Sequence, residues 1–242
     1  MKGEKEIMVI SLQGLWHCNV NLNNQDCIFK NDKMILVLDG CTQATYSDAG
    51  TRLFIQYFKS LKDFDNVDMF EENVNNVFEK IVKQGKEWFD EEKLKEYLQE
   101  NFLFTILACF RKDNDFIVKV FGDGYIVTQN YNNRVSYIAL SYGDMTEKGK
   151  LPPYFAYKYC DVELDCIDEF KFKTFIFNTS KFKKVGVATD GIKPIAMGHL
   201  KDFNSCIING YIDEEIMYLL QKHRNLFDDD CTIGLLNNGG VK

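Results

Sequence analysis

The chain has 242 residues, 45% of them hydrophobic and 27% charged, and a formal net charge of −7. It is long and apolar enough to bury a sizeable core, its acidic balance argues against broad nucleic-acid binding, and no apolar run reaches the roughly 18 residues of a membrane span. The N-terminus lacks the long apolar stretch of a secretory signal, and the eight cysteines include no Cys-x-x-Cys pair, so a reduced, cytoplasmic chain is expected, its thiols packed as small hydrophobes.

In chain order, residues 7–11, 27–30 and 34–38 read as short strands, with Asn31-Asp32 as a tight turn between the last two. Ser47 is a candidate N-cap for a helix carrying Leu53, Phe54, Tyr57, Phe58 and Leu61. Phe70, Val74, Val77, Phe78 and Ile81 share one face of a second helix. Asp90-Glu91-Glu92 opens a third, with acids in the first turn as the helix dipole favours. The period then changes. Residues 102–110, 116–121, 125–129, 135–140, 155–160, 172–177 and 184–189 read as strands, with Asp113-Asn114-Asp115 and Gly122-Asp123-Gly124 as turns. Leu151-Pro152-Pro153 marks a loop. A helix over Ile195 to Ile208, another capped by Asp213, a strand at 232–236 and a frayed Asn-Asn-Gly-Gly tail complete the chain. No repeat or composition shift divides residues 1–242, which are read as one domain. Consecutive strands with short turns predict antiparallel pairing. Amphipathic helices need a sheet to cover, so the expected fold is a layered α+β sandwich.

Five acids stand at the ends of apolar runs or beside polar residues. They are Asp26 in Asn24-Gln25-Asp26, Asp39 in Val37-Leu38-Asp39-Gly40, Asp123 in Gly122-Asp123-Gly124, Asp190 in Ala188-Thr189-Asp190-Gly191, and Asp229 in Asp228-Asp229-Asp230-Cys231-Thr232. Brought together, their carboxylates would repel unless cations lay among them, and hard divalent ions with oxygen ligands suit such a set. An Asp-Gly pair at a strand end can offer both a carboxylate and a backbone carbonyl, because glycine lets the chain turn sharply. Two such ions can activate a water and stabilise charge on a phosphoryl group, without a Ser, Cys or His nucleophile. Each motif alone is also an ordinary turn or a solvated acidic loop.

The ordered set, from Gly14 to Leu236, resembles the metal-dependent type 2C protein phosphatase family. Gly14-Leu15-Trp16-His17, Gln25-Asp26 and Ser47-Asp48-Ala49-Gly50 are most similar to a compact bacterial branch. The resemblance implies an α-β-β-α sandwich of two antiparallel sheets flanked by helices, and Mn²⁺ or Mg²⁺ as cofactor. It implies that Asp39 bridges two ions, that Gly40 lends its carbonyl, and that Asp190 and Asp229 complete the other site. Asp26 would stand on a metal or one layer behind, and Asp123 would match a holder of a looser third ion. Thr189 and Thr232 would support the loops. His17 enters the catalytic set as a group near phosphate or a metal-bound water.

This chain departs from larger members at three points: Gln25 stands where they carry Glu, Cys41 where they often carry His, and no Arg precedes the acidic pair to grip phosphate. Pro194 occupies the place of a partner for the third ion, which argues against that ion. The implied function is hydrolysis of phosphoserine or phosphothreonine in a protein, with a Ser/Thr kinase as the natural counterpart. The alternatives are a degenerate module that binds a phosphoprotein without turnover, or an enzyme acting on small phosphorylated molecules.

Among the remaining candidates, His199 reads as a packing residue, and Trp16 and Trp88 as core or groove-wall residues. Lys181, Lys183 and Lys184 read as a small basic edge.

Overall fold

The computed structural model describes residues 7–140, 153–160, 170–209 and 213–238. Its strands are β1 (Ile7–Leu12), β2 (Cys27–Lys30), β3 (Met34–Gly40), β4 (Phe104–Lys112), β5 (Asp115–Phe121), β6 (Gly124–Asn130), β7 (Val135–Leu140), β8 (Lys173–Asn178), β9 (Phe182–Ala188) and β10 (Cys231–Asn237). Its helices are α1 (Leu15–Asn19), α2 (Ser47–Lys59), α3 (Phe70–Gly85), α4 (Glu91–Asn101), α5 (Lys193–Ala196), α6 (Lys201–Asn209) and α7 (Asp213–Lys222). The strands form two five-stranded antiparallel sheets, in the orders β1-β10-β9-β6-β7 and β2-β3-β4-β5-β8.

Strand β3 shows why the molecule is layered. Alternate side chains of a strand face opposite ways, and both faces of β3 are buried. Met34, Leu36 and Leu38 pack with Phe54, Phe58 and Phe78 of α2 and α3. Ile35 and Val37 pack instead with Leu107 and Cys109 of β4 and with Val185 and Val187 of the other sheet. On the far side, Ile10, Val127, Ile233 and Leu235 pack under Phe203, Ile207, Ile216 and Leu220 of α6 and α7. The order is helices, sheet, sheet, helices, as the resemblance implies.

The layer under α2–α4 is held by aromatic rings. Phe78 lies 5.1–6.4 Å, centroid to centroid, from Phe54, Phe102, Phe104, Phe155 and Tyr159. Phe78→Ala is expected to cost about 3–5 kcal/mol, from lost burial and the cavity left behind. A lowered denaturant midpoint with an unchanged slope measures it.

Several expectations are corrected. Residues 155–160 are not a strand: Phe155–Tyr159 is a 3₁₀ turn. Phe155, Ala156 and Tyr157 are all buried, and three successive inward side chains are incompatible with strand alternation. Ser47 is not an N-cap but the first helical residue; Tyr46 precedes it, and no side chain caps that end. Asp90 does cap α4, accepting the Lys93 N–H at 3.0 Å. The helix expected from 195 to 208 divides into α5 and α6 around Gly198, whose φ is +81°. Trp16, Trp88 and His199 are exposed. Lys184 is no surface lysine: it is buried, and its Nζ donates to the Ile207 carbonyl at 2.5 Å. The Leu151-Pro152 loop and the Gly239-Gly240 tail lie outside the described residues. Among those residues Cys18, Cys27, Cys41, Cys109, Cys206 and Cys231 form no disulfide, and no helix is long and apolar enough to cross a membrane.

The correction with the most consequence concerns Gly122-Asp123-Gly124. It is not a hairpin turn, because β5 and β6 belong to different sheets. Here the chain crosses between sheets in three residues, with φ of +108° at Gly122 and +128° at Gly124. Side chains rarely tolerate such angles. The crossing leaves Asp123 at the seam between the two sheets.

Candidate metal centre

Strand parity and register deliver the acids to one end of the sandwich. Ile35 and Val37 face the opposite sheet, so Asp39, two residues further on, faces the same way. It lies opposite Thr105 of β4. Tyr125 pairs with Ala188, which sets the residues just before β6 beside those just after β9, Asp123 beside Asp190. Ile233 also pairs with Ala188, and the Thr189 N–H donates to the Thr232 carbonyl at 2.9 Å. That places the acids preceding β10 at the same end. Asp39, Gly40, Asp123, Asp190 and Asp229 together line a cavity of about 220 Å³, with Cys41, Thr42, Gln43, Thr105 and Tyr154.

Asp26 is not on the cavity surface. It is buried behind it, where its Oδ2 accepts the Thr189 hydroxyl at 3.0 Å and its Oδ1 has no partner. The Thr189 hydroxyl also accepts the Thr232 N–H at 3.0 Å, so this threonine ties the two acid-bearing loops together. Gly40 is held tightly: a β-carbon there would crowd the Gln25 carbonyl and the Ser47 hydroxyl.

The carboxyls resist ionisation. Burial, then Asp26, Asp190, Asp123 and Asp229, push Asp39 well above the usual carboxylate range. Burial and the neighbouring Asp230 raise Asp26, against hydrogen bonds from Thr232 and Thr189. Burial raises Asp123 and Asp229 as well. Asp190 reaches solvent at the mouth, yet the surrounding protein, Asp123 and Asp229 push it up to about 6. An all-oxygen set of mutually repelling acids with an unsatisfied inner oxygen fits hard divalent cations.

These shifts set the pH response of the metal-free protein. Each carboxyl holds its proton more tightly when folded than when unfolded, so its contribution is fully present below the unfolded value near 4. The contribution is lost as pH rises through the folded values, about 6 for Asp190. In chelator, the melting temperature is therefore expected to gain from these acids as pH falls from about 7 towards 5. Saturating Mn²⁺ should cancel that gain, because cations bind the ionised form.

Sequence reading did not single out Asp230. It is buried, and its two oxygens accept the Gly14 N–H at 2.7 Å and the Gln25 N–H at 2.6 Å. It thus pins the start of α1 and the Gln25-Asp26 loop to the start of β10. Gly14 must be glycine, since a β-carbon would strike the backbone of Asp228 and Asp229. His17, on α1, is buried, with Nδ1 2.8 Å from Asp230 Oδ1 and 3.9 Å from Asp229 Oδ1. It lies behind Asp229 and does not line the cavity. Tyr154 and Thr105 were also missed, because neither belongs to a short motif. Burial and the adjoining Cys41 push the Tyr154 hydroxyl far up.

A search of curated protein sequences finds no significant match. Solved structures share the architecture. The serine/threonine phosphatase Stp1 of Staphylococcus aureus superposes with a TM-score of 0.64 at 12% identity, over 97% of this chain and 95% of that one. The serine/threonine phosphatase PstP/Ppp of Mycobacterium tuberculosis gives 0.63 at 14% identity, over 96% and 97%. The catalytic domain of PstP in complex with two manganese ions gives 0.61 at 12% identity, over 96% of each chain. Residues 13–210 match the family model described as protein phosphatase 2C. With most of the chain under that model and the sandwich in common, the protein belongs to the protein phosphatase 2C family.

Proposed function

We propose that this chain is a divalent-metal-dependent phosphatase that hydrolyses phosphoserine and phosphothreonine esters in proteins, in a cytoplasmic setting. The observation that carries the reading is the convergence of Asp39, Asp123, Asp190 and Asp229 on one cavity from four separate parts of the chain. Asp39 would hold two Mn²⁺ or Mg²⁺ ions with the Gly40 carbonyl, Asp190 and Asp229 would complete the set, and Asp26 would support Asp39 from behind. Such ions supply activation of water for in-line attack on phosphorus and neutralise charge on the phosphoryl oxygens. The titratable neighbours are arranged for that task. Buried Asp39 favours its charged form only when positive charge is near. Tyr154, kept protonated by burial, stands at the wall as a neutral hydrogen-bond donor. Thr42 and Gln43 add neutral polar groups, and among the described residues no Lys or Arg lines the cavity. Neutralising the phosphate then falls to the bound cations.

The manganese complex of PstP supports this assignment of the ions, and the family supports phosphoproteins as substrates. A second reading, phosphoprotein binding without turnover, is favoured by the same lack of a cationic side chain at the cavity. Phosphate release from p-nitrophenyl phosphate and from phosphoserine and phosphothreonine peptides, with Mn²⁺, separates the two. Steady hydrolysis abolished by chelator is expected. Peptide binding with no release would leave the non-catalytic reading, and turnover confined to small phosphate esters would replace proteins as substrate.

A further inference from the structure

We infer that His17, Asp229 and Asp230 form an additional metal site, behind the cavity, for a borderline transition dication such as Zn²⁺ or Co²⁺. The site adjoins the proposed phosphatase centre through Asp229, and in that respect rests on it. His17 is 1% exposed, and neither ring nitrogen makes a hydrogen bond. A buried polar group without a partner costs free energy comparable to a lost hydrogen bond. Yet Nδ1 sits 2.8 Å from Asp230 Oδ1 and 3.9 Å from Asp229 Oδ1. The ring is thus held against two carboxylates with neither nitrogen in a hydrogen bond, an arrangement that an ion shared by the three residues would satisfy. Ligand atoms of all three residues fall within 4.8 Å of one another, and the 2.8 and 3.9 Å pairs at His17 lie inside the roughly 4.2 Å that two bonds of about 2.1 Å can span.

The surroundings fit a ligand set. The N–H groups of Gly14 and Gln25 fix the Asp230 carboxylate, and the Asp230 N–H holds Asp229 Oδ1 at 2.8 Å. Such outer hydrogen bonds orient metal ligands. Asp229 is half exposed, which leaves a way in. Oδ1 is the Asp229 oxygen nearest His17, so the residue can serve both sides. An imidazole nitrogen shifts preference away from Mg²⁺ towards Zn²⁺ and its neighbours.

The test is ¹⁵N NMR of the histidine rings during a Zn²⁺ titration, read alongside metal stoichiometry. The chain has three histidines, so His17 is resolved by comparison with His17→Gln. Expected is a displaced His17 Nδ1 resonance on adding one equivalent, in the wild type and in Asp39→Asn, with that equivalent lost in His17→Gln. An unmoved His17 ring overturns the site, whatever binds elsewhere. If Mn²⁺ still supports hydrolysis in that case, the phosphatase reading stands alone. If no metal binds anywhere, both fall. His199→Gln and His223→Gln assign the other two rings, so His17 is identified in the wild type even where His17→Gln folds poorly.

Discussion

Asp39→Asn is expected to remove metal-dependent hydrolysis while making the metal-free protein more stable. The two effects have one origin. Asp39 is held between the sheets and crowded by Asp26, Asp190, Asp123 and Asp229. Ionised, it costs stability without a cation; with one, it is the acid best placed to bind it. Loss of such an electrostatic group lowers turnover by roughly 100- to 1,000-fold. Neutralising it should raise the chelator-treated stability at pH 7.5 by about 0.5–2 kcal/mol, the usual size of relief at a strained functional site. Saturating Mn²⁺ should reverse the ranking, since binding at a hundred times the Kd stabilises by about 2.7 kcal/mol. Activity assays and thermal melts, with and without Mn²⁺, check all three parts. A variant less stable than the wild type in chelator would show that the acids do not repel as described.

Asp230→Ala should be the more damaging change to the fold. It leaves the Gly14 and Gln25 N–H groups buried without the acceptors they meet at 2.7 and 2.6 Å. Hydrogen bonds to a charged group contribute about 1.5–3 kcal/mol each, so a loss of about 3–6 kcal/mol is expected in denaturant unfolding. The damage should extend to function, because those amides fix the loop bearing Asp26 and the helix bearing His17. Mn²⁺ affinity should fall by about 10- to 100-fold, as when groups that orient metal ligands are removed. Asp230→Asn keeps an acceptor oxygen and should recover part of the stability. Equal losses in both variants would mean that the charge, rather than the two acceptor positions, secures the loop.

Local patterns in the chain were enough to identify α2, α3, α4 and α7, most of its strands and its acid motifs, but not α1 or the break between α5 and α6. Phe70, Val74, Val77, Phe78 and Ile81 mark the buried face of α3 because a helix repeats every 3.6 residues. The continuous apolar run 34–38 marks a strand buried on both sides. Asp39, Asp123, Asp190 and Asp229 stood out at the ends of apolar runs, where a chain that leaves a sheet presents its side chains. Gly122-Asp123-Gly124 shows where that legibility stopped. Its residues fit a hairpin equally well, and only the placement of β5 and β6 in different sheets turns it into a crossing at the cavity. Asp230 and Asp229 are chemically identical neighbours, yet one is buried under two amides and the other opens to the cavity. Tyr154 reaches the cavity wall from the position just before residues 155–160, the stretch read as a strand and found to open with a 3₁₀ turn. These roles depend on contacts between residues more than a hundred positions apart, such as Gly14 with Asp230. Period and propensity act over a few residues, so they name the elements; long-range packing and burial decide which carboxylate faces the cavity, which one braces, and which histidine is left without a partner.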